Sequence, residues 1–282
     1  MAQEYRLVKG TWENIADGVL CEEETMPAGC YLRDNSKYFL EKTTGDLTIV
    51  YCGEEPVGVG KLSVLPDGSG WLETLRVRPE WQGKGVGKAL YNKWMKELEA
   101  LNCHAVRMFT GTANVRSKGL AEKYGLSLAG TVIGAVKKTA ELTCTEEELN
   151  AFRPVTDRVE AHRLLEQYAM RMDGFVVLNN TFFRCGEKTW DYFFDNGMLF
   201  TDGEGSVAAI GARMLRERGL HLALYGGNGE KCLRFALAYT KAQNLPQLTV
   251  SYPVVCEAIK ADVESLGFVH DKACRIVMER VF

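Results

Sequence analysis

The 282-residue chain is 46% hydrophobic and 25% charged, which is enough apolar material for a packed core and argues against a disordered chain. At about 100–200 residues per domain, the length favours two domains. Its 34 Lys and Arg stand against 37 Asp and Glu, for a formal net charge of -3, so wholesale nucleic-acid binding by charge is excluded and any anion site is local.

The opening residues 1–10, MAQEYRLVKG, hold no apolar leader, and nowhere do about 18 apolar residues follow one another. The expectation is a cytoplasmic protein with no membrane partner. The nine cysteines are scattered with no CxxC spacing, and they read as reduced thiols, mostly buried. The four histidines, His104, His162, His221 and His270, lie far apart and none pairs with a cysteine at ligand spacing, so no metal site is expected.

In chain order, residues 5–9 read as a strand, 11–24 as a capped helix and 25–45 as a polar, Tyr-bearing stretch. Strands follow at 46–52 and 56–65, joined by a hairpin-like GEE, and the PDGSG turn at 66–70 leads to a strand at 71–79 that Pro79 ends. The segment 81–87 opens a helix over 89–101, whose Leu90, Trp94, Leu98 and Leu101 share one face. A strand at 105–110, a short helix at 114–124 ending at Gly125 and a strand at 131–136 complete the first half. Residues 137–152 form a charged bridge. Beyond it come 152–155, a helix at 157–170, strands between 174 and 216 and another at 220–225. A GGNG turn at 226–229, a helix to about 243, a strand at 247–252, a helix at 254–265 and a final strand close the chain.

The most informative segment is Gln82-Gly83-Lys84-Gly85-Val86-Gly87-Lys88, between a strand and a helix. Glycines there let the backbone curl and approach a ligand, and successive N–H groups then face one concavity at a helix N-terminus, an anion site reinforced by Lys84 and Lys88. The expected ligand is a phosphate or diphosphate; a Gly-rich turn alone is equally compatible with a ligand-free helix cap. A P-loop requires Ser or Thr after the GK pair, where Ala89 stands, and a glycine where Gln82 stands. A dinucleotide fingerprint requires its third glycine one residue later and a parallel βαβ unit around it.

Gln82, Gly85 and Gly87 match Gln/Arg-x-x-Gly-x-Gly/Ala, and Asn114, Ser117, Leu120 and Gly125 match a second motif in register. With the strand around Leu75 and Val77, this resembles the GNAT acetyltransferases over roughly residues 3–137. The resemblance implies an α+β fold: two acyl-CoA N-acyltransferase domains in tandem, each a mixed, mainly antiparallel sheet flanked by helices. It implies a catalytic domain over 1–138 that takes acetyl-CoA as cosubstrate. The backbone near Leu75 and Val77 would hold the pantetheine arm along splayed strands. Residues Gln82 to Lys88 would wrap the diphosphate, and Asn114 and Ser117 would lie beside the arm. Glu73 matches a position that often carries the general base. The usual acid, a Tyr seven residues past the Asn, is Ala121 here, which leaves Tyr124 or water as donor. The acceptor would be an amine of a small molecule or peptide; Tyr31, Asp34, Tyr38 and Glu41 stand in the segment that usually lines its pocket. A different class of reading, an acyl-CoA-binding sensor or scaffold with little turnover, follows from Ala121; a longer acyl group is a third. The sequence names neither the acceptor nor the oligomeric state.

The second half reads as a worn copy. Gly85 and Gly87 recur at Gly227 and Gly229, an offset of 142, and the same offset carries Gly125 to Gly267. It also turns Gln82 into Leu224, Lys88 into Glu230, Asn114 into Cys256 and Ala121 into Val263. The domain at 150–282 is therefore expected to be degenerate and not to bind coenzyme A. Its aromatic cluster, Phe182, Phe183, Trp190, Tyr192, Phe193 and Phe194, is expected to be core.

Overall fold

The computed structural model describes residues 4–26 and 29–282. By internal contacts the chain forms two compact units. The first runs to Phe109 and includes Asn114–Leu128 and Met278–Phe282; the second comprises Thr110–Ala113 and Ala129–Val277. The units are interleaved in sequence rather than parted by one cut between 138 and 150.

In the first unit, β1 (Arg6–Lys9) is followed by α1 (Ile15–Thr25) and α2 (Leu32–Glu41), then by β2 (Leu47–Cys52), β3 (Glu55–Val64) and β4 (Gly70–Val77). The four strands pair as an antiparallel meander. Helix α3 (Val86–Ala100) crosses to β5 (Ala105–Gly111), which runs parallel to β4, and α4 (Val115–Lys123) follows. Leu90, Trp94 and Leu98 of α3 are buried, as their spacing predicts; Leu101 falls at the C-cap and is exposed. The sheet makes room for that helix with small residues: a Cβ on Gly70 would lie 2.0 Å from Cδ2 of Leu98.

Helix α2 lies within 25–45, the stretch read from sequence only as polar and Tyr-bearing. It buries Leu32, Asn35, Ser36 and Phe39, so half the residues of its inner face are polar. No side chain of its own caps it. The backbone N–H of Leu32 instead donates to the fully buried carboxylate of Glu22 on α1, which also lies 3.3 Å from Nε of Arg76 on β4. A cap ten residues away leaves no local signature.

Strand β6 (Ser127–Lys138) pairs along 132–138 with β13 (Gln247–Pro253), which is why it belongs mostly to the second unit. Within the charged bridge, α5 (Glu146–Asn150) starts at a capping box of Thr145 and Glu148. Then come β7 (Arg153–Pro154), α6 (Arg158–Ala169), the hairpin β8 (Phe175–Leu178) and β9 (Thr181–Arg184), α7 (Glu187–Asp195), β10 (Leu199–Thr201), β11 (Val207–Gly211) and β12 (Leu220–Gly226). Helix α8 (Gly229–Ala242) leads to β13, α9 (Glu257–Ser265), β14 (Val269–His270) and β15 (Arg275–Val281). The strands order as β6-β13-β12-β11-β10-β7, with β14 beside β6. The region expected to hold only strands contains α7, whose Trp190 and Phe193 are buried with Phe182 and Phe183. Tyr192 and Phe194 are half-buried, and Phe194 lies under the Arg158 guanidinium at 4.8 Å.

The internal copy is exact in part of its length. Adding 142 to the bounds of β5 gives 247–253, the bounds of β13, and adding 142 to those of α4 gives 257–265, the bounds of α9. In each unit a strand–helix–strand crossover joins parallel neighbours at the end of an antiparallel meander.

Candidate active site

Strands β4 and β5 pair only where Gly70, Trp71 and Leu72 face Val106, Arg107 and Met108. Past Leu72 they part, so residues 73–77 have no strand partner on the β5 side among the described residues. The splay accompanies a bulge. Register slips between Val59 and Lys61 of β3, and opposite them Thr74 sits at φ 58, a left-handed conformation rare for a β-branched residue. Thr74 is buried, and its Oγ1 finds no hydrogen-bond partner. Strain of this kind, on the order of 1–3 kcal/mol, persists only where surrounding packing imposes it.

Glu73 immediately precedes the bulge. It is 7% exposed and accepts a 2.6 Å hydrogen bond from Ser63 Oγ. Lys61, opposite it on β3, is fully buried and donates to the Gly45 carbonyl at 2.7 Å. A further buried group fixes the strands where they still touch. Arg107, 1% exposed, donates to Asp67 at 2.5 Å, to Ser69 Oγ at 2.7 Å and to Glu279 at 2.6 Å. Burial alone would raise the Asp67 carboxyl, but Arg107 and Ser69 outweigh it and hold it below the ordinary carboxylate range.

Beyond β4, a 3-10 turn (Pro79–Trp81) leads to the Gly-rich loop. Gly83 and Gly85 take φ 81 and φ 102, which only glycine adopts without strain. Helix α3 then starts at Val86, with no side-chain cap and no acid in its first turn. Its leading N–H groups therefore face outward with the positive end of the helix dipole. Of the loop lysines, Lys84 rests its ammonium 4.8 Å from the Trp81 ring, and its carbonyl accepts from Tyr5 at 2.9 Å. Lys88 is exposed. Gly87 brings α3 against α4: a Cβ there would lie 3.0 Å from Leu120.

Asn114 is the N-cap of α4 and accepts from the Ser117 N–H at 3.1 Å, so the Asn–Ser pair of the second motif has a helix-starting task of its own. Gln82 Nε2 donates to the Val77 carbonyl at 3.0 Å, and its Oε1 accepts from Arg116. The Leu75 carbonyl accepts from Arg76 at 3.1 Å. Ala121 is fully buried. Tyr124 stacks on Tyr91 at 4.7 Å, and its hydroxyl lies 3.0 Å from the Lys88 carbonyl and 2.7 Å from Asn92 Oδ1. One hydroxyl proton cannot serve two acceptors; with the Asn92 amide turned so that its NH2 donates, both contacts are satisfied. Burial raises the Tyr124 phenol above its ordinary value.

Gln82, Val77, Gly87, Asn114 and Tyr124 are thus drawn together around the facing ends of α3 and α4, with Glu73 on the strand leading there. Arg116 and Ser63, which sequence reasoning passed over, join them. Ser63 had a signal, a polar residue within an apolar strand; Arg116 had none beyond its place two residues after Asn114. On α2, Tyr31 and Tyr38 both pack against Phe39, at 5.7 and 5.9 Å. Among the described residues no cluster of His, Cys, Asp and Glu has the arrangement of a metal site, and no helix is long and apolar enough to cross a membrane.

The corresponding place in the second unit is built differently. Only residues 227–228 separate β12 from α8, against 78–85 between β4 and α3. Asn228 caps α8 with its own side chain, which accepts from the Lys231 N–H at 3.0 Å, and Glu230 adds an acid. A Cβ on Gly229 would meet the Asp262 carboxylate at 2.1 Å. The buried strand β8 packs against both β12 and β13.

Residues 13–126 match the model of the Acetyltransferase (GNAT) family. Solved structures resemble the chain over almost its whole length. A GCN5-related N-acetyltransferase from Sphaerobacter thermophilus aligns over 98% of this chain and 95% of its own, with TM-score 0.65 and 11% identity. A tandem GNAT protein from the clavulanic acid biosynthesis pathway aligns over 99% and 98%, with TM-score 0.65 and 12% identity. The glucosamine N-acetyltransferase region of a fungal multi-domain beta-N-acetylglucosaminidase aligns over 98% of this chain and 38% of that one, with TM-score 0.69 and 11% identity. At these identities the likeness is one of fold. No curated protein matches the chain in sequence.

Proposed function

Because residues 13–126 belong to the GNAT acetyltransferase family and the whole chain has the tandem form of that fold, we propose that the first domain binds acetyl-CoA and transfers its acetyl group to an amine. One observation carries the reading: strands β4 and β5 part beside a Gly-rich loop that ends in an uncapped helix N-terminus. An extended pantetheine arm adds along an open strand edge through backbone hydrogen bonds, and a diphosphate suits the free N–H groups of α3. Leu75 and Val77 flank the arm; Gln82 to Lys88 surround the diphosphate; Asn114 and Ser117 start the helix beside it. Two of the edge carbonyls already accept from Arg76 and Gln82, so the arm either uses the neighbouring N–H groups or displaces these contacts.

Glu73 is the base in this account, taking a proton from the ammonium form of the acceptor, directly or through water. Ser63 orients its carboxylate. The attacking amine and the thioester then form a tetrahedral adduct with a cationic nitrogen, which loses a proton to water and collapses, breaking the C–S bond, to the amide and the thiolate of coenzyme A. Water protonates that thiolate, a weak base with a thiol pKa of about 8.5. Tyr124, whose hydroxyl lies against α3, is assigned to packing α4 on α3. The second domain contributes no cofactor site: its short loop, its Asn228 cap and the Asp262 carboxylate leave no opening for a diphosphate.

The test is release of free thiol from acetyl-CoA against a panel of amines, including amino sugars, polyamines, amino acids and peptide N-termini. Amine-dependent release supports the enzyme. Binding of acetyl-CoA without release would favour an acyl-CoA sensor, the reading that the buried Ala121 and the engaged Tyr124 point to.

A further inference from the structure

We propose that Arg116 is a cofactor-anchoring residue whose guanidinium holds the diphosphate of coenzyme A together with the first turn of α3. This rests on the acetyl-CoA reading above and adds to it a residue outside both sequence motifs. Arg116 lies exposed in the first turn of α4 and donates to Oε1 of Gln82, while Nε2 of the same amide donates to the Val77 carbonyl at 3.0 Å. The chain Val77–Gln82–Arg116 links the end of β4, the Gly-rich loop and α4. It sets a positive charge beside the uncapped start of α3, where Gly87 and Leu120 bring the two helices together.

Several neighbouring cations are neutralised by carboxylates, whereas Arg116, like Lys84 and Lys88 of the loop, has no carboxylate partner among the described residues. Arg76 pairs with Glu22; Arg78 pairs with Glu24, Glu55 and Glu80; Lys118 pairs with Glu122. Arg116 has only a neutral amide oxygen as partner, and no carboxylate neutralises it among the described residues. A guanidinium offers five N–H donors in a planar fork, and Gln82 occupies one edge of it. The other edge fits two phosphate oxygens, and charge-assisted bonds to an anion are stronger than the one to the amide.

The internal copy differs at this position. Since α4 and α9 share their bounds at an offset of 142, Arg116 corresponds to Ala258. It is therefore absent from the second unit together with Gln82, Lys88 and Asn114, the residues that the diphosphate reading needs.

Calorimetric titration of coenzyme A and of dephospho-coenzyme A, which lacks the 3′-phosphate, into the full chain and its Arg116→Ala and Arg116→Lys variants tests this. Loss of a charged hydrogen-bonding group predicts about tenfold or greater weakening of both ligands by Arg116→Ala, with partial recovery in Arg116→Lys, whose point charge cannot bind bidentately. The melting temperature should not move, because the side chain is exposed. Unchanged affinity overturns the proposal. So does weakening of coenzyme A alone, which would assign Arg116 to the 3′-phosphate, and so does weakening accompanied by a fall in melting temperature. If the unaltered chain binds neither ligand, the acetyl-CoA reading fails instead, and the two failures are thereby distinguished.

Discussion

Glu73 and Asp202 show how differently two carboxylates can be used. Glu73 is buried beside the bulge and accepts a 2.6 Å hydrogen bond from Ser63 Oγ. Glu73→Gln keeps the shape and the Ser63 contact, so acetyl-CoA affinity should stay within twofold while turnover falls about 100-fold or more, the usual contribution of a general base. Equal losses in binding and turnover would place its role in structure. Asp202 is a structural acid of the second unit. Burial pushes it up, but Ser206, the Glu204 N–H and Lys231 outweigh that and bring its pKa down to about 2. A lowered folded-state pKa stabilises the fold above the unfolded value and loses that contribution as pH falls through the folded one. Asp202 should therefore contribute on the order of 2 kcal/mol above about pH 4, lost between about pH 4 and pH 2. Urea denaturation of Asp202→Asn across that range should show a deficit at pH 6 that closes by pH 2; a pH-independent deficit would assign the effect to packing.

Elements become legible from sequence to the extent that their causes are local. Helices α3 and α4 were readable because a Gly-rich start, an apolar stripe and an Asn cap all lie within the segments themselves. Helix α2 was not, since its start is satisfied by Glu22 from α1 and its buried face includes Asn35 and Ser36. Likewise, α7 was hidden in an aromatic run whose spacing matters more than its β-propensity. The candidate site's residues stand out in the sequence as motifs, but their division of labour does not. Asn114 illustrates this, since it is at once a cap and a candidate cofactor contact. Asn114→Ala should cost about 1 kcal/mol of stability through the lost cap. Asn114→Asp should keep the cap and the stability, yet weaken acetyl-CoA binding, because a carboxylate then stands beside the cofactor. Full affinity in Asn114→Asp, measured by titration beside thermal melts, would reduce the residue to its capping role.

For the whole molecule, tandem architecture was legible as a repeat at an offset of 142, and the structure carries that repeat to matching strand and helix bounds. The exchange of chain ends was not legible, because strand pairing of β6 and the fate of 278–282 depend on contacts between residues more than a hundred positions apart. Met278–Phe282 completes the first unit: Glu279 pairs with the buried Arg107, Arg280 donates to the Tyr124 carbonyl at 3.0 Å, and Phe282 donates to the His104 carbonyl at 2.9 Å. Removing these five residues leaves Arg107 short of a carboxylate, and a broken buried pair costs about 3–5 kcal/mol. Deletion of 278–282 should therefore unfold the first unit or lower its melting temperature sharply, and a fragment ending at 138 should not fold; a stable, cofactor-binding fragment of that length would contradict this. The central claim is that the first domain alone carries a cofactor site, and calorimetric titration of acetyl-CoA into the full chain tests it most directly. The account predicts one site per chain, weakened by Lys88→Glu; absence of binding, or two sites per chain, would contradict it.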